Sequence, residues 1–106
     1  MASKYNNTKI RVDGRLFDSK AEAARWQELL LLERVGEITE LERQVEYELI
    51  PKQKGERAVK YIADFRYKDY EGKTVVEDVK GYKGNPVWII KRKLMLRVHG
   101  IRVREV

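Results

Sequence analysis

The first long stretch of regularly spaced apolar residues predicts a helix over residues 19–35. Its apolar positions recur at helical spacing, at Ala23, Trp26 and Leu30. Ser19 followed three residues later by Glu22 is a capping-box pattern, and Gly36 stands where helices commonly end. Ahead of this helix, the Asp-Gly pair in VDGRLF (residues 12–17) predicts a tight hairpin, because this dipeptide favours two-residue turns.

A different periodicity follows, with apolar and polar residues alternating as they do in strands. Residues 43–50 alternate clearly, with apolar positions at Val45, Tyr47 and Leu49. Residues 58–70 and 73–80 predict two further strands. The turn around Gly72 between them predicts that these two strands pair as a hairpin.

The last part of the chain predicts a second helix and a final strand. Asn85 can cap the helix, with Pro86 in its first turn and Gly100 after its end. The predicted apolar stripe of this helix comprises Val87, Ile90, Leu94 and Val98. IRVREV (residues 101–106) alternates as a strand, and its helical connection favours parallel pairing with a neighbour.

The predicted order of elements is helix, three strands, helix, strand. We expect the α/β class, with a small mixed sheet flanked by helices. The 106 residues suit a single domain over residues 9–106, preceded by a flexible polar arm over residues 1–8. The chain has no cysteine, so disulfides, thiolate metal sites and cysteine nucleophiles are excluded. No apolar run has the length of a membrane span, so we expect no membrane partner and a cytoplasmic location.

Two aspartates fall on the two strands of the predicted hairpin. Asp64 is an isolated carboxylate in the otherwise apolar YIADF (residues 61–65), where strict alternation places the odd-numbered residues on the opposite face. Residue 71, in the turn, lies midway between Asp64 and Asp78. A hairpin centred there brings the two carboxylates close together.

The strand that carries Asp78 has the sequence VVEDVK over residues 75–80. Alternation puts Asp78 and Lys80 on one face and Glu77 on the other, where we expect Glu77 to face solvent or to pair across strands. Two adjacent carboxylates repel unless one is protonated or a cation lies between them, and Mg²⁺ prefers such oxygen ligands. A neighbouring lysine can orient water and stabilise charge on a phosphate. The alternative is an ordinary solvated strand face with a same-face ion pair.

The charge balance favours an anionic partner, with nucleic acid as the first candidate. The chain has 23 Lys and Arg against 17 Asp and Glu, a net charge of +6. No helix-turn-helix or zinc-finger motif is visible, so we expect phosphate contacts and recognition of DNA form rather than base sequence. The basic candidates could equally form ordinary solvated surface. The candidate DNA-binding residues are Lys52, Lys54, Arg57, Tyr82, Lys83, Lys91 and Lys93.

Asp64, a gap of 13 residues and the run Asp78-Val79-Lys80 resemble the motif of the PD-(D/E)XK nuclease superfamily. Ala63 stands where the motif's proline would be, and Asp78 where many members carry glutamate. The predicted element order resembles the superfamily's core. FDSKAEAARWQELLLLERVGEI, ELIPKQKGERAVKYIADF and VEDVKGYKG look like small phage nucleases described as similar to Holliday junction resolvases.

The resemblance, which covers residues 12–106, implies a site for Mg²⁺ or Mn²⁺ with Lys80 beside the attacking water. Gln44 lies where some relatives carry a glutamine near the site. Helix capping remains a competing explanation for the acid on the first helix. The metal site that the resemblance implies comprises Glu22, Asp64, Asp78 and the carbonyl of Val79.

The activity that the resemblance implies is metal-dependent endonucleolytic hydrolysis of phosphodiester bonds in branched or structured DNA. The protein would be encoded by a phage, act in the host cytoplasm, and serve DNA recombination, replication or packaging. Symmetric cleavage of a junction needs two active sites, hence a homodimer. The alternatives are a non-catalytic DNA-binding module on the same fold, and a nuclease that acts on linear or single-stranded DNA.

Overall fold

The computed structural model describes residues 9–79 and 84–106, so the predicted arm over residues 1–8 lies outside it. Within the described residues the protein is a mixed α/β fold in the predicted order, preceded by a small hairpin. The elements are β1 (Ile10–Val12), β2 (Arg15–Phe17), α1 (Lys20–Arg34), β3 (Thr39–Ile50), β4 (Val59–Lys68), β5 (Thr74–Asp78), α2 (Pro86–His99) and β6 (Arg104–Glu105).

The β1–β2 hairpin turns at the predicted Asp-Gly pair. Asp13 has a φ of 50° and Gly14 a φ of 79°. Two successive left-handed residues match the twist of the flanking strands, and aspartate and glycine adopt this conformation readily. The hairpin prediction is therefore confirmed, with Ile10 opposite Phe17.

Helix α1 begins and ends as its sequence predicts. The Ser19 hydroxyl accepts a hydrogen bond from the N–H of Glu22 at 3.1 Å. At the other end, Gly36 has a φ of 84° and its N–H donates to the carbonyl of Glu33 at 3.1 Å. This left-handed glycine satisfies a carbonyl that the last helical turn would otherwise leave unpaired.

A four-stranded sheet forms the centre of the fold, in the order β3-β4-β5-β6. The first three strands are antiparallel, and β6 runs parallel to β5 after the crossover through α2. In the hairpin of β4 and β5, Phe65 pairs with Glu77 and Lys68 with Thr74, which centres the hairpin on residue 71 as predicted. Strand β3 starts at Thr39 rather than at residue 43.

Two hydrophobic cores cover the two faces of the sheet. In β5, Val75 packs against one core and Val76 belongs to the other, as expected for neighbours on opposite faces. The α1 core comprises Phe17, Ala23, Trp26, Leu29, Ile38, Phe65, Tyr67 and Val79. The α2 core comprises Leu49, Tyr61, Ala63, Val76, Trp88, Met95 and Val103.

Strand β4 changes face at Asp64. Tyr61 and Ala63 belong to the α2 core, whereas Phe65 belongs to the α1 core. A regular strand keeps every second side chain on one face, so the prediction that these three residues share a face is wrong. In the ladder of β3 and β4, the residues on either side of Gln44 pair with those on either side of Asp64. Gln44 itself has a φ of 56°. This left-handed residue opposite Asp64 distorts the ladder where the change occurs.

Helix α2 packs through a different side from the one that its sequence pattern predicts. Asn85 caps it, with its side-chain oxygen accepting from the N–H of Val87 at 2.9 Å. The residues buried against the sheet are Trp88 and Met95. The predicted stripe is wrong as a buried face, because most of it is exposed to solvent: Val87 at 57%, Ile90 at 55% and Val98 at 50%. In the part of the chain that the structure describes, no helix could cross a bilayer.

Candidate active site

The two predicted aspartates lie on adjacent strands, directly beyond the last paired residues of the hairpin. Phe65 pairs with Glu77, so Asp64 and Asp78 are the neighbouring residues on β4 and β5. Both carboxylates are half-buried. The Oδ2 atom of Asp64 accepts a hydrogen bond from the N–H of Val79 at 2.8 Å. The structure therefore fixes the Asp64 carboxylate against the end of β5.

Glu22 reaches the same region from the first turn of α1. Its side chain is 3% exposed, although glutamates are rarely buried without a partner. Burial first, and then the negative charges of Asp64 and Asp18, raise the pKa of Glu22 from 4.5 to about 7. The guanidinium of Arg43, whose Nη2 lies 3.6 Å from Glu22 Oε1, offsets only part of this effect. A positive charge placed among these acids would lower the pKa again.

The expectation that Glu22 closes a capping box is met only in part. The Ser19 hydroxyl accepts from the Glu22 N–H, but the Glu22 carboxylate accepts a hydrogen bond from the backbone of Asp18. It also accepts from the amide of Gln44, Nε2 to Oε1, at 3.3 Å. The side chain thus faces β3 and Asp64 as well as the start of its own helix, so its contacts fit both a capping role and a place in the site.

Gln44 joins the site through its backbone as well as through its side chain. Its φ of 56° is uncommon for a residue other than glycine, asparagine or aspartate, and strained backbone is concentrated at functional sites. Its position across from Asp64 follows from the pairing of Val45 with Ala63. The strict alternation of the predicted strand gave no signal of this conformation, and only the resemblance pointed to the residue.

Tyr61 is a site neighbour that the sequence analysis missed. It is 5% exposed, and its hydroxyl has no hydrogen-bond partner among the described residues. Burial first, and then the charges of Asp78 and Asp64, raise its pKa well above the ordinary range. Its ring contacts Trp88, with centroids 5.6 Å apart, and the Trp88 Nε1 donates to Glu105 at 2.5 Å. A buried hydroxyl in this position can donate to an oxygen in the acid cluster.

Glu77 is fully buried, so the expectation that it faces solvent is wrong. Its carboxylate receives two hydrogen bonds from the Arg25 guanidinium, at 2.8 and 2.6 Å, and one from the Tyr67 hydroxyl. Tyr67 lies on the neighbouring strand β4, so this contact is the cross-strand pairing that was the alternative expectation for Glu77. Bidentate pairing of this kind is among the stronger charge-assisted interactions. The pair ties α1, which carries Glu22, to β5, which carries Asp78.

The predictions for Lys80, Tyr82 and Lys83 lie outside the described residues. Val79 is described: its side chain belongs to the α1 core and its N–H bonds Asp64. Within residues 9–79 and 84–106, no group of three or more acidic, histidine or cysteine side chains is close enough to hold a metal ion. The donor set is nonetheless all oxygen, as Mg²⁺ and Mn²⁺ prefer, and the negative charges of Asp64 and Asp18 add to the effect of burial in raising the pKa of Glu22. The chemistry of the donors therefore fits a divalent cation.

The described basic candidates lie in separate places rather than in one patch. Lys52 and Arg57 line an open cleft beside the connection between β3 and β4, and Lys54 is exposed in the same connection. Lys93 lines a groove between α2 and β6, and Lys91 is half-buried on the same helix. The cleft and the groove share no lining residue.

Comparison with known proteins places the chain in a family without adding an activity. No curated protein and no solved structure matches it. The acid cluster therefore has to be interpreted from its own geometry and chemistry. A family model described as "Protein of unknown function (DUF1064)" matches residues 2–105, and the chain belongs to this family.

Proposed function

We propose that this protein is a metal-dependent endodeoxyribonuclease of the PD-(D/E)XK superfamily. The observation that carries the proposal is the end of the β4–β5 hairpin, where Asp64 and Asp78 lie directly beyond the paired residues Phe65 and Glu77. Glu22 lies near enough for the charge of Asp64 to raise its pKa. The carboxylates of Asp64 and Asp78 at one strand end, with Glu22 near Asp64, are suited to a hard divalent cation that also binds phosphate oxygens.

Each residue has a proposed role in this chemistry. The groups that would hold Mg²⁺ or Mn²⁺ are the side chains of Glu22, Asp64 and Asp78, together with the Val79 carbonyl. When bound, such a cation polarises a phosphate and lowers the pKa of water. The hydrogen bond from Val79 holds the Asp64 carboxylate in one orientation. Lys80 would stabilise negative charge on the phosphate.

The proposed substrate is branched or otherwise structured DNA. The net charge of +6 favours a polyanion, and phosphate contacts from lysine and arginine carry no sequence preference. The cleft at Lys52 and Arg57 and the groove at Lys93 could contact two separate backbone segments. Symmetric cutting of a four-way junction would further require a homodimer.

The test compares cleavage of a labelled four-way junction with that of a linear duplex, in Mg²⁺, Mn²⁺ or EDTA. The variant is Asp78→Asn, which removes the charge but keeps the shape of the side chain. Glu71→Gln is the matched control, because Glu71 is an exposed acid in the turn of the same hairpin. We expect wild type and Glu71→Gln to cut the junction with either metal, and Asp78→Asn to lose at least about 100-fold in rate.

The outcomes separate the chemistry from the substrate preference. Equal cutting of junction and linear duplex would keep the nuclease and discard the preference for branched DNA. Flapped, nicked and single-stranded substrates in the same panel would then identify the preferred form. Equal loss in Asp78→Asn and Glu71→Gln would contradict the proposed site.

A second candidate is a non-catalytic DNA-binding module on the same fold. It is favoured by the observation that the described residues contain no three-membered group spaced for a metal ion. Such a protein would bind the junction in a salt-dependent manner and cut nothing in Mg²⁺ or Mn²⁺. Asp78→Asn would then leave both binding and the lack of cutting unchanged.

A further inference from the structure

The side of α2 next to its buried side carries a regular apolar stripe. Val87, Ile90 and Val98 are exposed at 57%, 55% and 50%, and Leu94 lies between them, half-buried. Their spacing places all four on one side of a helix. Residues that are apolar, regularly spaced and solvent-facing are unusual on a monomer surface and commonly mark an interaction site.

The stripe borders the side of α2 that is buried against the sheet, where Trp88 and Met95 lie and where Leu94 packs against the core. The apolar surface of this helix is therefore wider than the part that the sheet covers. The exposure of Val87, Ile90 and Val98 shows that the described residues leave the rest of this surface open.

The residues beside the stripe are basic. The first turn of α2 has no acid, and the sequence PVWIIKRKLMLRVH contains none at all. Arg92 and Lys93 lie on another side of the helix, where they line the groove toward β6 together with Arg102. The cations that border the stripe at helical spacing are Lys91 and Arg97.

We propose that this face binds a helix of a protein partner whose apolar side is bordered by aspartate and glutamate. The spacing of the stripe fits the apolar seam of a second helix, and oppositely charged borders stabilise and select such pairs. A second copy packed through the same face would bring cations against cations. DNA would match the charge but would gain nothing from the aliphatic stripe. The proposed surface is separate from the acid cluster.

The probe is a fluorescently labelled synthetic helical peptide of about three heptads, with leucine at the seam and glutamate on both borders. A matched peptide carries lysine at the border positions. Binding is measured by fluorescence anisotropy to wild type, to Ile90→Ser/Val98→Ser and to Leu31→Ser. Leu31 is the control because it is an equally exposed leucine, at 57%, on the other helix.

We expect the acidic peptide to bind wild type more tightly at low salt, and the basic peptide to bind at least about tenfold more weakly. The double variant should bind the acidic peptide about tenfold more weakly than wild type, and Leu31→Ser should bind it with unchanged affinity. Circular dichroism checks that each variant is folded, which exposed substitutions should allow.

Other outcomes would overturn the proposal. The proposal would be wrong if the two peptides bound wild type with equal affinity or if neither peptide bound. It would also be wrong if the double variant bound the acidic peptide as tightly as wild type does. If sedimentation showed that wild type is a dimer and the double variant is a monomer, the face would be assigned to a second copy of the chain. Binding to phosphatidylglycerol vesicles or to duplex DNA that the double variant alone loses would assign it to lipid or to nucleic acid. None of these readouts depends on cleavage, so the nuclease proposal can fail without affecting them.

Discussion

The two faces of the central sheet differ in how they treat buried polar groups. On the α1 face, the buried carboxylate of Glu77 is paired with Arg25 and Tyr67. On the α2 face, the buried hydroxyl of Tyr61 has no partner among the described residues, and the helix above it leaves an apolar stripe in solvent. One face is therefore closed by internal pairing, whereas on the other face the described residues leave a hydroxyl unpaired and an apolar stripe exposed.

The largest expected effect comes from removing the cation that pairs with the buried carboxylate on the α1 face. Arg25→Ala should lower the free energy of unfolding by about 3 kcal/mol, because it leaves the Glu77 carboxylate buried without its cation. Glu77 is 0% exposed, so water cannot replace the lost partner. Urea denaturation of wild type and variant measures the difference.

Glu28→Ala is the control for that experiment. Glu28 also pairs with Arg25, at 3.9 Å, but its side chain is 65% exposed. Exposed pairs contribute little, so we expect a change within about 0.5 kcal/mol. Equal losses in the two variants would mean that burial of Glu77 does not distinguish this face.

The next effect concerns pH and Glu22. The folded-state pKa of about 7 lies above the ordinary 4.5, so the folded protein binds this proton more tightly than the unfolded chain. The resulting stability is fully present below pH 4.5 and is lost as pH rises through about 7. Glu22→Gln should abolish this decline, which amounts to about 3 kcal/mol. Unfolding free energies across this range, with and without Mg²⁺, provide the measurement.

Magnesium adds a second readout to the same experiment. If the acids hold a cation, Mg²⁺ should restore stability to the wild type at the alkaline end and have less effect on Glu22→Gln. A wild type whose stability does not fall across this pH range would contradict the buried, acid-coupled environment of Glu22. A fall without a magnesium response would retain that environment and count against the metal site.

The smallest effects come from a matched pair of tyrosines on the two faces. Tyr67→Phe removes a donor to the buried Glu77 carboxylate and should cost about 1.5 kcal/mol. Tyr61→Phe removes a hydroxyl without a described partner and should change stability by less than about 0.5 kcal/mol. Thermal unfolding of both variants tests the contrast, and a larger loss in Tyr61→Phe would reverse the comparison.

Features set by neighbouring residues could be predicted from the sequence. The caps at Ser19 and Asn85 and the turn at Asp13 depend on a few adjacent side chains. The hairpin of β4 and β5 is also local, so counting from its turn gave the observed register that relates Asp64 to Asp78. The part of the candidate site that lies on this hairpin was therefore predictable.

Features set by distant residues could not be predicted. Glu77 is buried because Arg25, 52 positions away in the chain, reaches it. The change of face at Asp64 depends on the backbone of Gln44 in another strand. The buried side of α2 depends on how Trp88 and Met95 fit the sheet, and periodicity alone preferred the regular stripe. These contacts have no signature in short windows of sequence.

The parallel pairing of β6 has a consequence for the order in which the molecule assembles. The hairpin of β4 and β5 closes through a short turn, whereas the N–H of Val106 can reach the carbonyl of Asp78 only after the chain has passed through α2. Longer loops cost more entropy to close and slow the formation of their contacts. We therefore expect the β4–β5 hairpin, which carries Asp64 and Asp78, to form early in folding. The hydrogen bond from Val106 to Asp78 should be the latest part of the sheet to form.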